Sequence, residues 1–170
     1  MVELRKITIL DDDMKECIAL NIAPEKKDYV HSNAIVLATA YSRFGMRGRV
    51  MECRAVYAMG EIVGLASYNY YDVSEYNRYV GDPDFKEVCY RIHPFMIDKA
   101  HLEKGYEEAA LRLLLDELQA KPFGDAAAIF ATHFPKEEDV AGIYASVGFS
   151  KTDATWAKPN DKRIFMRMGL

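Results

Sequence analysis

The stretch Ile97–Leu118, "IDKAHLEKGYEEAALRLLLDEL", joins the end of an apolar strand to a long helix through a short loop with one glycine. Apolar residues on one face of the helix predict packing against a sheet. They are Leu111, Leu114, Leu115 and Leu118. Unpaired N–H groups and the positive dipole end at a helix start bind anions through the main chain. Gly105 would let a ligand approach this backbone closely, and Lys104 adds a positive charge.

The same turn also carries three acidic residues, Glu103, Glu107 and Glu108. Carboxylates near a helix start stabilise it by roughly 0.3–1 kcal/mol each through the helix dipole. An ordinary helix with an acidic first turn would therefore have the same sequence. The stretch alone leaves two interpretations open, an anion-binding turn and a structural helix start.

Composition limits the classes of function. The chain has 170 residues, half of them apolar, which predicts one globular domain over residues 1–170. It has 22 basic and 26 acidic residues, for a net charge of −4, which disfavours nucleic acid as a partner and suits small cations such as amines. The N-terminus lacks the apolar run of a signal peptide, and no segment has the ~20 apolar residues that span a bilayer. We expect a cytoplasmic protein without a membrane partner.

The three cysteines, Cys17, Cys53 and Cys89, are widely spaced and lie in segments with regular apolar patterns. No Cys or His cluster has the spacing of a metal site. The sequence therefore predicts packed free thiols and no metal.

Apolar patterns predict the element order β-α-α-β-β-β-α-β-α-β-β. The first strand is predicted at Val2 to Ile9, and the second helix has an apolar stripe at Val30, Ala34, Leu37 and Tyr41. Pro94 lies near the end of the strand "FKEVCYRIHPFMI" and predicts a bulge or a splayed strand. The last two strands, "SKTDATWAK" and "KRIFMRMGL", form a predicted hairpin whose aromatic strands could pair with a second copy in a homodimer.

A second informative segment, "VAGIYASVGF", places Tyr144 on a helix four residues before Gly148. Together with "FMIDKAHLEKGYEEAAL" it resembles the GNAT superfamily of N-acetyltransferases, which transfer an acetyl group from acetyl-CoA to an amine. The segments "VELRKIT" and "ALNIAPEKKDYVHSNAIVLATAY" further resemble bacterial diamine and spermidine acetyltransferases. The resemblance covers nearly the whole chain.

This resemblance implies an α+β fold with a central, mostly antiparallel sheet, a splayed strand and flanking helices. It implies an acetyl-CoA-dependent N-acetyltransferase acting on a primary amine of a small molecule, with polyamines as the leading class. Met96 and Ile97 would contact the pantetheine arm, and Tyr144 would donate a proton or a hydrogen bond to the leaving sulfur. The pyrophosphate would bind the N–H groups of Lys104, Gly105, Tyr106, Glu107 and Glu108.

The pyrophosphate loop departs from the family pattern Q/R-x-x-G-x-G/A. Leu102, Gly105 and Glu107 fall on its three marked positions, and only Gly105 agrees. The Glu107 carboxylate is expected to turn outward into water; at ~6–8 Å from the diphosphate it would weaken binding by roughly 1–3 kcal/mol. The alternative hypothesis is a degenerate GNAT-fold binding or regulatory protein with weakened or lost acetyl-CoA binding.

The predicted acceptor residues are Glu25, Tyr29, Asn33 and His93. Glu25 and Tyr29 are one helical turn apart, and a carboxylate beside an aromatic ring suits an ammonium group. A solvated acidic helix start would look the same. His93 is either a proton acceptor or a packed strand residue, and Tyr144 has a packed ring as its structural alternative. An aminoglycoside or a protein N-terminus stays open as acceptor.

Overall fold

The computed structural model describes residues 1–8, 12–24, 31–43, 49–71, 87–93, 95–154 and 162–170. Within these residues the chain forms the predicted α+β structure, an eight-stranded sheet with four α-helices. The strands are β1 Val2–Lys6, β2 Arg49–Ala58, β3 Glu61–Tyr71, β4 Cys89–Ile92, β5 Met96–Ile97, β6 Ala128–His133, β7 Ser150–Lys151 and β8 Ile164–Gly169. The helices are α1 Asp13–Ala19, α2 Asn33–Arg43, α3 Tyr106–Gln119 and α4 Glu138–Ser146.

The sheet has the strand order β1-β2-β3-β4-β6-β8-β7, and β5 also pairs with β3. Of the pairs described, only β4 with β6 is parallel. The prediction of a mixed, mostly antiparallel sheet is therefore confirmed. The first strand ends at Lys6, earlier than predicted, and Ile9 lies outside the described residues.

Helices cover both faces of the sheet. Leu114 of α3 and Tyr144 of α4 share a buried cluster with Tyr90 and Ile92 of β4 on one side, which we call the α3 face. The α3 leucines predicted to pack are all buried. On the opposite side, the α1 face, residues of α1 and α2 pack on β2, β3 and β5. A central sheet between two helical layers follows from these two clusters.

The predicted apolar stripe of α2 is confirmed at Leu37, which packs against the buried cluster of the α1 face, and is wrong at Ala34 and Tyr41. The helix begins at Asn33 and buries Asn33 and Val36, whereas Ala34 is exposed and the Tyr41 side chain is 84% exposed. Val30 lies outside the described residues. Asn33 can be buried because its Nδ2 donates a hydrogen bond to the Cys17 carbonyl at 2.8 Å, which joins α2 to α1.

The strand predicted around Pro94 is divided into β4 and β5, both paired with β3. Ile92 is opposite Tyr68 and Met96 is opposite Leu65 of β3. Three residues, 93–95, therefore stand between these pairs on one side, against only two on β3, Ala66 and Ser67. An extra residue on one strand is a β-bulge, and the prediction of a bulge or splay is confirmed. Pro94 itself lies outside the described residues.

The C-terminal hairpin forms, but its first strand is short. Two residues, Ser150 and Lys151, pair with Arg167 and Met166 of β8, and β8 pairs with β6 along its whole length. Residues 155–161, which include most of the predicted aromatic strand "ATWAK", lie outside the described residues. The homodimer stays a prediction.

The cysteines are free thiols, as predicted: Cys17 and Cys89 are buried and Cys53 is partly buried. Burial raises the pKa of each thiol to about 12, so all three stay protonated near neutral pH. In the part of the chain that the structure describes, no group of three His, Cys, Asp or Glu side chains could hold a metal ion. None of the described helices has the length and apolarity needed to cross a bilayer.

Candidate functional site

A slit opens in the sheet where β4 and β6 separate. They pair from Cys89 to Arg91, and beyond this point β5 pairs with β3 alone among the described strands. The Asp98 N–H donates to the Val63 carbonyl at 2.8 Å. Hydrogen-bonded and non-bonded positions alternate in an antiparallel pair, so the N–H and carbonyl of the preceding residue, Ile97, face away from β3 into the slit.

A cavity of about 310 Å³ lies beside the start of α3, and we call it the loop cavity. It is lined by Ile97, His101, Leu102, Glu103, Gly105, Tyr106, Glu107, Glu108 and Ile143. Gly105 caps the helix with φ of 72°, a left-handed conformation that costs glycine nothing. Among the described residues no acceptor bonds the N–H groups of Lys104, Gly105, Tyr106 and Glu108. The loop cavity therefore presents a cluster of main-chain donors that suits an anion.

The loop before α3 is held by Asp98. Its carboxylate accepts a hydrogen bond from the Ala100 N–H at 2.8 Å and another from the Asn21 N–H at 2.6 Å. These bonds join the 3₁₀ turn Lys99–His101 to the segment after α1. The Lys104 ammonium turns back to Nδ1 of His101 at 3.1 Å, and Lys104 does not line the cavity.

A second cavity, of about 130 Å³, occupies the slit, and we call it the slit cavity. It is lined by His31, Arg91, Ile92, His93, Phe95, Glu107, Leu111, Thr132, Phe134, Glu137, Val140, Ile143, Tyr144 and Arg163. Glu107 and Ile143 line both cavities. The two cavities therefore adjoin at these side chains.

Tyr144 is fixed in the slit cavity by the end of α4. The Gly148 N–H bonds the Ala145 carbonyl at 3.1 Å and the Phe149 N–H bonds the Tyr144 carbonyl at 3.1 Å, which is a Schellman motif. Gly148 supplies the required positive φ, of 103°. The motif also brings the Phe149 ring centroid to 5.3 Å from that of Tyr144. The "IYASVGF" sequence thus fixes the position of the Tyr144 ring.

The Tyr144 hydroxyl is suited to donate a proton. It has no hydrogen-bond partner among the described residues, and the side chain lines the slit cavity. Burial raises its pKa, and the negative charges of Glu107 and Glu137 raise the pKa further, against a smaller opposite effect of Arg91. The hydroxyl therefore keeps its proton at neutral pH and can donate it, in a hydrogen bond, to an anion that forms in the slit cavity.

The other end of the slit cavity holds His93, Arg91 and Thr132. Arg91 Nη2 lies 3.5 Å from Thr132 Oγ1 across the two strands. Burial lowers the pKa of His93 well below its usual 6.5, and the positive charges of Arg91, Arg43, Arg163 and His31 lower it further. His93 is therefore neutral at physiological pH, with its Nε2 atom buried and without a hydrogen-bond partner among the described residues.

No family model and no curated protein matches the sequence. Solved structures do match over almost the whole chain. The aminoglycoside acetyltransferase AAC(6′)-Ib, solved with coenzyme A, is 16% identical with a TM-score of 0.70, over 99% of this chain and 95% of that one. A spermidine N-acetyltransferase chimera from Vibrio cholerae is 14% identical with a TM-score of 0.62, over 99% and 94%. A GNAT-family protein of Desulfovibrio desulfuricans is 15% identical with a TM-score of 0.62, over 99% of both chains. The chain has the GNAT fold.

Within this GNAT fold, most predicted cofactor residues meet at one place. Ile97, Gly105, Tyr106, Glu107 and Glu108 all line the loop cavity, and the Lys104 N–H lies beside them. Glu107 is half-buried and lines both cavities, and its charge raises the pKa of Tyr144. The outward turn of its carboxylate into water stays a prediction.

Two predicted site residues lie away from the cavities. Met96 precedes Ile97 on a strand, so its side chain points to the α1 face, where it is buried. Its sulfur lies 3.8 Å from Asn33 Nδ2, so both residues belong to the core under α1 and α2. His93 does line the slit cavity. Glu25 and Tyr29 lie outside the described residues.

Several residues that line the slit cavity were not predicted from the sequence, notably Arg91, Thr132, Glu137 and Arg163. The sequence does indicate a special role for Arg91, because burying a charged residue within the apolar strand "CYRI" is unfavourable unless its charge has a partner or a ligand. No sequence pattern indicates Thr132 or Arg163, since only the pairing of β4 with β6 and of β6 with β8 brings them to the slit.

Proposed function

We propose that this protein is an acetyl-CoA-dependent N-acetyltransferase that acts on a primary amine of a small molecule. The observation that carries the proposal is the pair of adjoining cavities that share Glu107 and Ile143. One cavity offers main-chain donors at a helix start, and the other contains a protonated tyrosine hydroxyl. A donor of acetyl groups and an acceptor need two such compartments that meet at the reacting atoms.

The loop cavity fits the diphosphate and pantetheine of coenzyme A. The N–H groups of Gly105, Tyr106 and Glu108 would bind the diphosphate, which needs no basic side chain. The outward main-chain groups of Ile97 would bond the pantetheine amides, and Leu102 and Ile143 supply apolar walls. When bound, acetyl-CoA would supply an activated acetyl thioester at the slit cavity.

The chain's own residues then have distinct roles. The buried slit brings the amine to the thioester carbonyl and excludes water from it. The amine nitrogen would form the new bond to carbon as the carbon–sulfur bond breaks, and the Tyr144 hydroxyl would donate a hydrogen bond to the leaving thiolate. The proton that the amine loses balances the proton that the thiolate takes up. The carboxylate of Glu107 faces the same cavity and receives the proton lost by the amine. Glu137, whose Oε2 accepts the Phe134 N–H at 2.8 Å, adds negative charge that favours an ammonium group there.

The class of amine is a finer proposal. Spermidine and aminoglycosides are named for two of the structures that share the fold, and both are amines. Polyamines follow from the sequence resemblance alone. A second candidate function, a GNAT-fold binding or regulatory protein without acetyl transfer, is favoured by Glu107 and Leu102 in the pyrophosphate loop.

Two measurements separate these functions. The melting temperature should rise with the concentration of coenzyme A, because a ligand of the folded state stabilises it. Release of free thiol from acetyl-CoA should then depend on an added small amine. A shift without thiol release on a broad set of amines would favour the binding protein, and no shift at millimolar coenzyme A would exclude the acetyltransferase.

A further inference from the structure

The slit cavity has opposite charges at its two ends. Tyr90 and Ile92 belong to the core of the α3 face, so Arg91 and His93 between and beyond them point to the α1 face. The carboxylates that line the cavity, on Glu107 and Glu137, belong to the start of α3 and the cap of α4 on the other face. Negative and positive groups are thus separated across the thickness of the sheet.

Two guanidinium groups mark the end on the α1 face. Arg91 is only 3% exposed and its side chain lines the cavity. Arg163, just before β8, lines the same cavity, with its Cζ 5.8 Å from the centroid of the Phe134 ring. His31, at the start of α2, completes this end. Guanidinium groups present a planar fork of donors that matches a carboxylate.

The strand beside this end carries buried polar atoms that no described residue satisfies. Asn69 is opposite Arg91 in the sheet, and the Ser67 carbonyl accepts the His93 N–H at 2.9 Å. Ser67 Oγ, Asn69 Oδ1 and His93 Nε2 are buried without a hydrogen-bond partner among the described residues. Leaving such atoms unpaired is unfavourable, and of these three residues His93 lines the slit cavity, so its Nε2 is the atom placed to receive a polar group from a ligand or from water.

Given the acetyl transfer proposed above, we infer that the acceptor is a small amine that also carries a carboxylate. Its carboxylate binds Arg91 and Arg163 at the end of the cavity on the α1 face. Its amine points through the slit towards Glu107 and the Tyr144 hydroxyl. Amino acids, and amines of similar size and charge pattern, carry both groups.

The same arrangement disfavours a simple diamine. One ammonium group of a diamine would meet Glu107 and Glu137, but the other would lie against Arg91 and Arg163, where like charges repel. The net charge of −4 does not change this, because screening confines an exposed charge to a range of about 8–10 Å in physiological salt. The charged residues that line the cavity therefore determine which charge pattern the acceptor needs.

Matched pairs of acceptors test the inference with the thiol-release assay. Each pair differs only in the carboxylate: ornithine and putrescine, lysine and cadaverine, phenylalanine and phenethylamine. Phenylalaninamide adds a control of similar size without the negative charge. The acid should react with a kcat/KM at least about tenfold higher than its decarboxylated partner and than the amide, as expected for a charge-assisted contact.

Two variants link this preference to the arginines. In Arg163→Gln and in Arg91→Gln the ratio of kcat/KM between acid and amine should fall towards one. In Arg5→Gln, on β1, it should be unchanged, because Arg5 pairs with Glu3 far from the slit. Coenzyme A titrations of melting temperature show whether the buried Arg91 variant folds; Arg163, only partly buried, provides the test if it does not.

The outcomes separate this inference from the proposed function. If amines are acetylated but the decarboxylated member of each pair reacts as well or better, the acceptor class is wrong and the acetyltransferase stands. A preference for acids that survives in both arginine variants also overturns the inference. If the protein binds acetyl-CoA and acetylates no acid in the set, the inference fails, and if it does not bind acetyl-CoA the proposed function fails with it.

Discussion

Glu107 stands between the two cavities, where the family pattern has a small residue. Its side chain is half-buried, and its charge raises the pKa of Tyr144. A carboxylate there would repel a diphosphate and, in the proposed reaction, would also face the amine that must lose a proton. The two effects act on different steps, so binding and turnover can be separated by one substitution.

Replacing Glu107 by glutamine should tighten coenzyme A and slow the reaction. Removing the charge lowers the Kd for coenzyme A by about tenfold, from the repulsion of two phosphate charges. Loss of a proton acceptor lowers kcat on the order of 100-fold. Calorimetric titration and the thiol-release assay measure the two effects.

Glu138→Gln is the matched control, because Glu138 is exposed on the first turn of α4 and lines neither cavity. It should change the Kd for coenzyme A by less than about twofold, since an exposed charge is screened by salt. A Kd that rises in Glu107→Gln would contradict the placement of this carboxylate near the phosphates.

Tyr144→Phe should lower kcat on the order of 100-fold while the protein stays folded, because the sulfur loses its hydrogen-bond donor. The ring and its contact with Phe149 remain, so the melting temperature should change little. The Kd for coenzyme A should be unchanged, because the diphosphate binds elsewhere. Full turnover in this variant would show that the tyrosine only packs.

Helix α3 connects the hydrophobic core of the α3 face to the loop cavity. Its leucines fix the direction of the helix, and its first turn then presents the N–H donors beside Gly105. Sequence periodicity was sufficient to predict this helix, because its apolar stripe is long and regular. The stripe of α2 was partly mispredicted because a buried asparagine, satisfied by the Cys17 carbonyl, replaces an apolar residue.

Leu114→Ala should destabilise the protein by about 2–5 kcal/mol, since Leu114 is fully buried between α3 and the sheet. Leu113→Ala is the neighbouring control: Leu113 is 36% exposed, and its loss should cost under about 1 kcal/mol. Urea denaturation with equal m-values measures both. Equal losses for the two variants would contradict the described orientation of α3.

The whole molecule brings together residues that are far apart in sequence. The loop cavity comes mostly from one continuous segment, 97–108, and could be predicted from the sequence. The slit cavity takes Arg91 from β4, Thr132 from β6 and Arg163 from the residues before β8. Only the separation of β4 from β6 makes these residues neighbours, so their charge pattern could not be predicted from local patterns. Tyr144 could be placed on its helix from the sequence because its motif is local, and its catalytic role stays a prediction.

We propose that main-chain donors at the start of α3 bind the diphosphate of coenzyme A. Amide proton–nitrogen NMR spectra recorded during a titration with coenzyme A observe these donors one by one. The amide signals of Lys104, Gly105, Tyr106 and Glu108 should move the furthest and saturate together. Saturable binding that leaves these four signals unmoved, or no change at millimolar coenzyme A, would contradict this proposal.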